Sequence, residues 1–350
     1  MKAPENLIFV FLTALLLVTS SVSAKIWRVN NRVGIVADFT TAQAAHDGAN
    51  AGDTVFFEPS PTNYGDITLT KKLILIGTGY FLDQNLETQW KNNWPATIGH
   101  VTFSSNSSSS AQFSQLMGLT CTGDLTVNAP SIIIKRNYLQ SQNQFSASFV
   151  DFEDNYCYQT GLYGYNSCGY CLYIDPGLHD IIINNNIFKF VYTVNRSQVC
   201  IYANSVYNSS FNSNTVVGYQ SQWNGVLCSL SIEGFIVQNN ILSACTFSPN
   251  NNNYSYNISD NTFFGNQNGN QQNVDMNSVF LFSGSTDGQY QLKTGSPAIG
   301  AGVGGIDCGA YGGTNPYVLS GIPPIPAIYS VMIGDPNSQY NVQLKLKSHN

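Results

Sequence analysis

An asparagine returns to the same slot of a short repeating segment, and that recurrence restricts the fold more than any other feature of the chain. The clearest copy is Ile181-Ile182-Ile183-Asn184-Asn185-Asn186-Ile187-Phe188. Asn186 can be set in register with Asn137, Asn155, Asn214, Asn240 and Asn261. Three residues before each asparagine stands an apolar side chain: Ile183, Ile134, Phe152, Phe211, Val237 and Ile258. Two before stand Asn184, Lys135, Glu153, Asn212, Gln238 and Ser259, all polar. This in-and-out alternation is that of a strand. In chain order the asparagines are 18, 31, 28, 26 and 21 residues apart. Helical solenoids hold a nearly fixed period and need helix formers, whereas these segments are rich in Ile, Val, Phe, Tyr, Thr, Ser and Asn.

Strands of fixed form joined by loops of variable length predict a parallel β-helix, with successive coils about 4.8 Å apart along the stack. The expected fold is all-β and right-handed, following the rule for parallel crossovers, with about eight coils. Asparagine suits the bend between two strands because it tolerates the left-handed conformation and its amide bonds to neighbours. Stacked copies predict a hydrogen-bonded ladder.

Composition agrees with one elongated solenoid. Only 10% of the 350 residues are charged and the formal net charge is -6. The chain has no basic patch, so nucleic-acid binding lacks electrostatic support. Lys2, the apolar run Leu7 to Val18 and the small residues Val22-Ser23-Ala24 predict an export signal over 1–24. The mature chain is then expected to begin near Lys25 and to be secreted, periplasmic or held at the cell surface. No later stretch is apolar enough to predict a membrane span. The expected organisation is a β-helix over 25–313, then a proline-led extension and hairpin over 314–350.

The eight cysteines fit an oxidising compartment. Cys171, Cys200 and Cys228 each precede a ladder asparagine by a similar interval, which predicts one inward column. Stacked side chains point in parallel, so thiols are expected there rather than disulfides. Cys168 and Cys171 form a C-x-x-C without the second pair that a zinc site needs.

Two segments near the start, FTTAQAAHDGANAGDTVFFEPS and YGDITLTKKLILIGTGYFL, are followed much later by GSPAIGAG, IDCGAYGG and LSGIPPIPAIYS. Together they resemble exported bacterial right-handed parallel β-helix proteins of the pectin lyase-like superfamily. The resemblance covers nearly the whole mature chain. It implies a short helix capping the first coil and a closing coil over Gly295 to Gly302 and Ile306 to Gly313. It carries no catalytic signature. An uncapped solenoid end exposes core and strand edges, so the alanine-rich stretch 42–51 and the hairpin after Pro326 answer a physical need as well.

Enzymes of such folds set carboxylates, bases or calcium on one outward sheet. This chain has no Asp-Asp pair, and His46, His100, His179 and His349 are scattered, so neither a metal cluster nor a triad is indicated. Lys135 and Arg136 are the only adjacent bases on a ladder strand. In register Lys135 meets Glu153 and Arg136 meets Asp154, which predicts a structural ion-pair ladder. Asp151, Glu153 and Lys135 are the candidate catalytic residues if that ladder serves chemistry, and calcium enters only under that lyase alternative. No cofactor is otherwise expected.

Tyr163, Asn195 and Trp223 lie 8, 9 and 9 residues beyond their ladder asparagines, so their loops are expected on one side of the stack. With Tyr165 and Arg196 they form a candidate sugar-binding set, Tyr163, Tyr165, Arg196 and Trp223, since aromatic faces stack on sugar rings. The expected partner is an extracellular polysaccharide or a cell-surface component. The functional expectation is a non-catalytic glycan-binding or structural, adhesive protein; the alternative is a polysaccharide lyase or glycoside hydrolase.

Overall fold

The computed structural model describes residues 24–85, 94–159, 170–191, 198–221, 225–226, 228–333 and 342–347. The chain is a right-handed parallel β-helix. Three sheets of ten, eight and eight strands run along the stack, and every strand pair within them is parallel. Sheet A starts at Ile26–Val29 and ends at Asn253–Ser255; sheet C spans Thr97–Ile98 to Ile258–Ser259; sheet B spans Ile67–Leu69 to Cys245–Phe247. Over most of the stack the chain visits A, then C, then B.

Alternation places one apolar column inside each sheet. On sheet A, Val55, Leu75, Leu116, Ile134, Phe152, Ile183, Phe211 and Val237 are register partners in turn, all fully buried. Phe188 of sheet C stacks against Phe152 and Phe211 at 6.3 and 6.1 Å between ring centres. The helix Ala42–Gly48 packs Ala42 and Ala45 onto the open end, with Thr41 Oγ1 accepting from Ala44 N. Ala327–Ile333 and Val342–Lys347 pair as an antiparallel hairpin, and the segment leading into it lies against the early rungs, at Gly79, Gly118 and Arg136, so nothing places it as the cap of the last coil that was expected.

The asparagine ladder is present and fully buried. Asn155 donates its backbone N–H and its Nδ2 to Asn186 Oδ1 at 2.9 and 3.1 Å, and Nδ2 also donates to Ile134 O at 2.9 Å. Asn186 repeats the pattern onto Asn214 Oδ1, and Asn214 onto Asn240 Oδ1. The sequence register needs one correction: after Asn240 the ladder continues to Asn257 and Asn270, leaving Asn261 outside it. The rung after Asn240 is 17 residues long rather than 21, because the turn through 249–252 is short and places Tyr254 opposite Val237. Ile258 therefore follows a ladder asparagine and pairs with Ile241 on sheet C.

A second correction concerns the bend. The left-handed residue is the one before each ladder asparagine: Arg136, Asp154, Asn185, Ser213, Asn239 and Tyr256 have φ of 58°, 54°, 54°, 52°, 58° and 56°. That residue absorbs the turn, which leaves the asparagine free to point inward along the stack.

The segments expected as a closing coil run back down the outside of the stack. Val303 N donates to Asn239 Oδ1 at 2.8 Å, Asn185 Nδ2 donates to Ala310 O and Gly312 O, and Arg136 Nη1 donates to Ile322 O at 3.0 Å. These contacts follow the corner between sheets A and C from late rungs to early ones. The 274–317 region also supplies Met276, Val279, Phe280, Tyr290, Ala298 and Tyr317 to a second apolar cluster, which buries Tyr156, Ile187, Ile241 and Ile258 on the outer face of sheet C. Gly309 fits only because it has no side chain: a Cβ there would meet Ile241 Cδ1 at 2.6 Å.

Replacing Asn186 with alanine removes the acceptor of Asn155 N and Nδ2 and the Nδ2 donor to Phe152 O, so a loss of about 3 kcal/mol is expected. Asn261→Ala, outside the ladder, is expected to cost about 1 kcal/mol. Urea denaturation of the two variants checks this contrast.

Candidate functional site

The outer face of sheet A carries the charged residues singled out in the sequence. Lys135 pairs with Glu153 in strand register, and Ile133 and Ile182 flank Asp151 in the same way. Lys135 Nζ lies 3.0 Å from Glu153 Oε2 and 3.6 Å from Asp154 Oδ2, and Arg136 Nε lies 3.4 Å from Asp154 Oδ2. The opposite charges therefore meet on neighbouring rungs. Burial works against the Lys135 charge, but Asp154 and Glu153 outweigh it and hold the ammonium above its ordinary range.

Asp151 differs from its neighbours in lacking a cation. Burial, reinforced by Glu153, pushes its carboxyl up to about 6, and its Oδ1 is buried with no hydrogen-bond partner. Burial also pushes Asp154 up to about 6, against the pull of Lys135 and Arg136. Asp151 and Glu153 lie two residues apart on one strand face, so their backbones are about 7 Å apart. The structure thus holds a carboxyl that keeps its proton into the mildly acidic range, up to about 6, beside one paired with an ammonium.

The outer face of sheet C presents a different surface. Residues Thr97, Thr120, Tyr138 and Tyr156 form one outward column by register. The second apolar cluster covers this column from Tyr156 onward and stops short of Thr97 and Thr120. The uncovered part is a cleft of ≈ 580 Å³. Phe81, Trp94 and Tyr138 supply its rings; Thr97, Thr120, Thr122 and Gln140 supply polar groups.

The cleft wall is held from behind. Phe81 has φ of 50°, uncommon for a bulky side chain, and its ring lies 4.9 Å from Tyr138 and 5.3 Å from Tyr156. Next to it, the Tyr80 hydroxyl meets the Tyr317 hydroxyl at 2.5 Å, and Tyr80 N donates to Ser320 O. Buried Asp287 accepts from Tyr317 Oη, Ser320 N and Asn85 Nδ2, tying the wall to the folded-back segment. Trp94, by contrast, is 43% exposed. Thr120 Oγ1, on the lining, is buried without a hydrogen-bond partner.

The structure brings Lys135, Asp151 and Glu153 together on sheet A. Tyr163, Tyr165, Arg196 and Trp223 lie outside the described residues. Near them in sequence, Tyr170, Tyr173 and Tyr202 cluster with ring centres 5.2 to 5.7 Å apart, Tyr173 and Tyr202 being register partners on sheet B. Sequence reasoning missed the sheet C cleft. One signal was available, since the residue directly after a ladder asparagine, such as Tyr138 or Tyr156, faces outward on sheet C. Among the described residues, no group of three or more His, Cys, Asp or Glu side chains is arranged to hold a metal ion. No helix among them is long and apolar enough to cross a membrane. Asn257 heads the sequon Asn257-Ile258-Ser259, yet it is closed to glycosylation in the folded chain because it is a buried ladder member.

Two measurements follow from the sheet A cluster. Lys135→Ala leaves Glu153 without its cation and Asp154 with Arg136 alone, and is expected to cost about 2 kcal/mol in denaturant unfolding. A carboxyl raised to about 6 stays protonated in the fold after the unfolded chain has released its proton near pH 4. Its stabilising contribution is therefore complete below about pH 4 and is lost as pH rises through about 6. Asp151→Asn is expected to gain melting temperature relative to the parent as pH rises from 4 to 7, and melting curves across that range check the sign. Comparison with models of known protein families and with curated proteins finds no match to this chain.

Proposed function

We propose that this protein is an exported, non-catalytic β-helix that binds a polysaccharide in the sheet C cleft. The observation that carries this reading is the cleft's lining: Phe81, Trp94 and Tyr138 beside Thr97, Thr122 and Gln140. Sugar rings present apolar C–H faces and a rim of hydroxyls. Aromatic walls match the first, and threonine and glutamine side chains match the second. A binding site built on stacked strands and backed by the Asp287 network is pre-organised, which reduces the entropy lost on association. The tyrosines of sheet B extend the aromatic character to a neighbouring face.

Export rests on Lys2, the run Leu7 to Val18 and the small residues before Lys25. Membership of the pectin lyase-like superfamily rests on the resembling segments and on the kind of fold, and fold alone carries no activity. A neutral polymer is the favoured partner, since the described lining holds one carboxylate, Asp83, and no base. The function needs no cofactor.

One observation favours a second reading, that of a polysaccharide lyase or hydrolase. Asp151 is a protonated carboxyl at mildly acidic pH, beside Glu153 and Lys135 on a flat strand face. A polysaccharide panel, assayed with and without calcium for reducing ends and unsaturated products, separates the two. Cleavage abolished by Asp151→Asn would establish the enzyme.

Under the binding reading, calorimetry is expected to find a glycan that binds without turnover. Trp94→Ala is expected to weaken it about tenfold, equivalent to about 1.4 kcal/mol, with the melting temperature unchanged. Unaltered affinity in Trp94→Ala would remove the cleft as the site.

A further inference from the structure

The described cysteines are all buried, and several gather at the corner between sheets C and B. Cys157 hydrogen-bonds Cys171, while Cys228 contacts both Cys200 and Cys245. Of these contacts, that between Cys228 and Cys245, both thiols in this structure, joins residues placed to be cross-linked. The two residues are direct register partners on neighbouring parallel strands of sheet B. Neighbouring strands lie about 4.8 Å apart, inside the range of about 4.4 to 6.8 Å that a disulfide spans between Cα atoms. Their Sγ atoms are 2.6 Å apart, so the side chains turn toward each other instead of pointing in parallel.

Two neighbouring features keep the pair facing. A Cβ built on Gly218 would fall 2.6 Å from Cys228 Cβ and 2.8 Å from Cys245 Sγ, so the bare Gly218 backbone presses on both cysteines from the adjoining turn. Cys200, the third thiol, sits at a bulge between Val199 and Ile201 that takes it out of strand register with Cys228. The sequence-based expectation of thiols concerned Cys171, Cys200 and Cys228; Cys245, not among them, is the direct register partner of Cys228.

We propose that Cys228 and Cys245 form a disulfide that staples two successive rungs of sheet B, installed by a small-molecule disulfide while the chain folds. The Cys228 thiolate attacks one sulfur of the reagent, forming a mixed disulfide and releasing one reduced thiol. The Cys245 thiolate then attacks Cys228 Sγ, forming the Cys228–Cys245 bond and releasing the second. Two cysteine thiols lose two protons and two electrons, and one reagent disulfide becomes two thiols. The two cysteines are 17 positions apart in the sequence. Both sulfurs are fully enclosed once the rungs close, so the exchange belongs to folding and not to the finished stack.

The test is peptide mapping of the full chain, refolded with oxidised glutathione and then denatured and blocked with N-ethylmaleimide without reductant. Cleavage after Arg196, Glu233 and Lys293 places Cys200 and Cys228 on one peptide and Cys245 on the next, and chymotrypsin separates Cys200 from Cys228. The expected result is a Cys228–Cys245 linked peptide, two hydrogens lighter than the dithiol, with Cys200 blocked. Glutathione added after folding is expected to leave both cysteines as thiols. Cys245→Ser is expected to free Cys228 for blocking and to lower the melting temperature to that of the reduced parent. Blocking of all three cysteines after oxidative refolding, or a Cys200–Cys228 link, overturns the proposal, and both results are read on the parent chain if the variant fails to fold.

Discussion

The stack depends on a carboxamide that can be buried only if its neighbour is in place. From Asn155 to Asn257 each ladder asparagine accepts two hydrogen bonds at Oδ1 from the preceding asparagine and donates through Nδ2 to the following one and to a strand carbonyl. A slip of one residue between rungs would leave these groups unpaired in the interior, at about 1–3 kcal/mol for each. The ladder therefore sets the register of every coil, and through it decides which side chains face outward. The hydrophobic columns supply the larger stabilisation, but an apolar interior alone tolerates shifts that the amides do not.

Two outward columns follow from that register, and they meet different fates. The residue two before each asparagine lies on the outer face of sheet A, where Lys135 and Glu153 pair across rungs. The residue directly after each asparagine lies on the outer face of sheet C, where Tyr156, Ile187, Ile241 and Ile258 are apolar and need cover. The 274–322 region provides that cover and is pinned at Asn239, Asn185 and Arg136, each the left-handed residue of its rung. The cleft is the part of sheet C that this cover does not reach, and Asp287, Tyr317 and Ser320 fasten the cover's edge to the cleft wall. Packing at the back of the molecule and the shape of the proposed binding surface are thus parts of one arrangement.

Much of this was legible before the structure. Asn137, Asn155, Asn186, Asn214 and Asn240 stand in the ladder as aligned, because an apolar and a polar position flank each at fixed distances. The sixth alignment failed where Asn and Ser dominate the composition: Asn257 and Asn261 both fit a local pattern, and only the strand pairing of Tyr254 with Val237 separates them. The folded-back segment was expected as a closing coil because GSPAIGAG and IDCGAYGG resemble that of exported β-helix proteins, whereas at Gly309 the glycine is needed for close approach to sheet C. The cleft draws on residues near 80, 95, 120 and 139, and nothing in the local sequence joins segments so far apart. It becomes visible only when the ladder register is carried one residue past each asparagine.

The most direct test of this account is amide hydrogen exchange at the ladder. The backbone N–H groups of Asn137, Asn155, Asn186, Asn214, Asn240 and Asn257 each donate to the next rung's carboxamide. If the ladder is the continuous spine that fixes register, these amides should be among the slowest to exchange and should share a common opening free energy close to that of global unfolding. Exchange at loop-like rates, or protection that breaks off between neighbouring rungs, would contradict the account and leave the apolar columns as the only source of register.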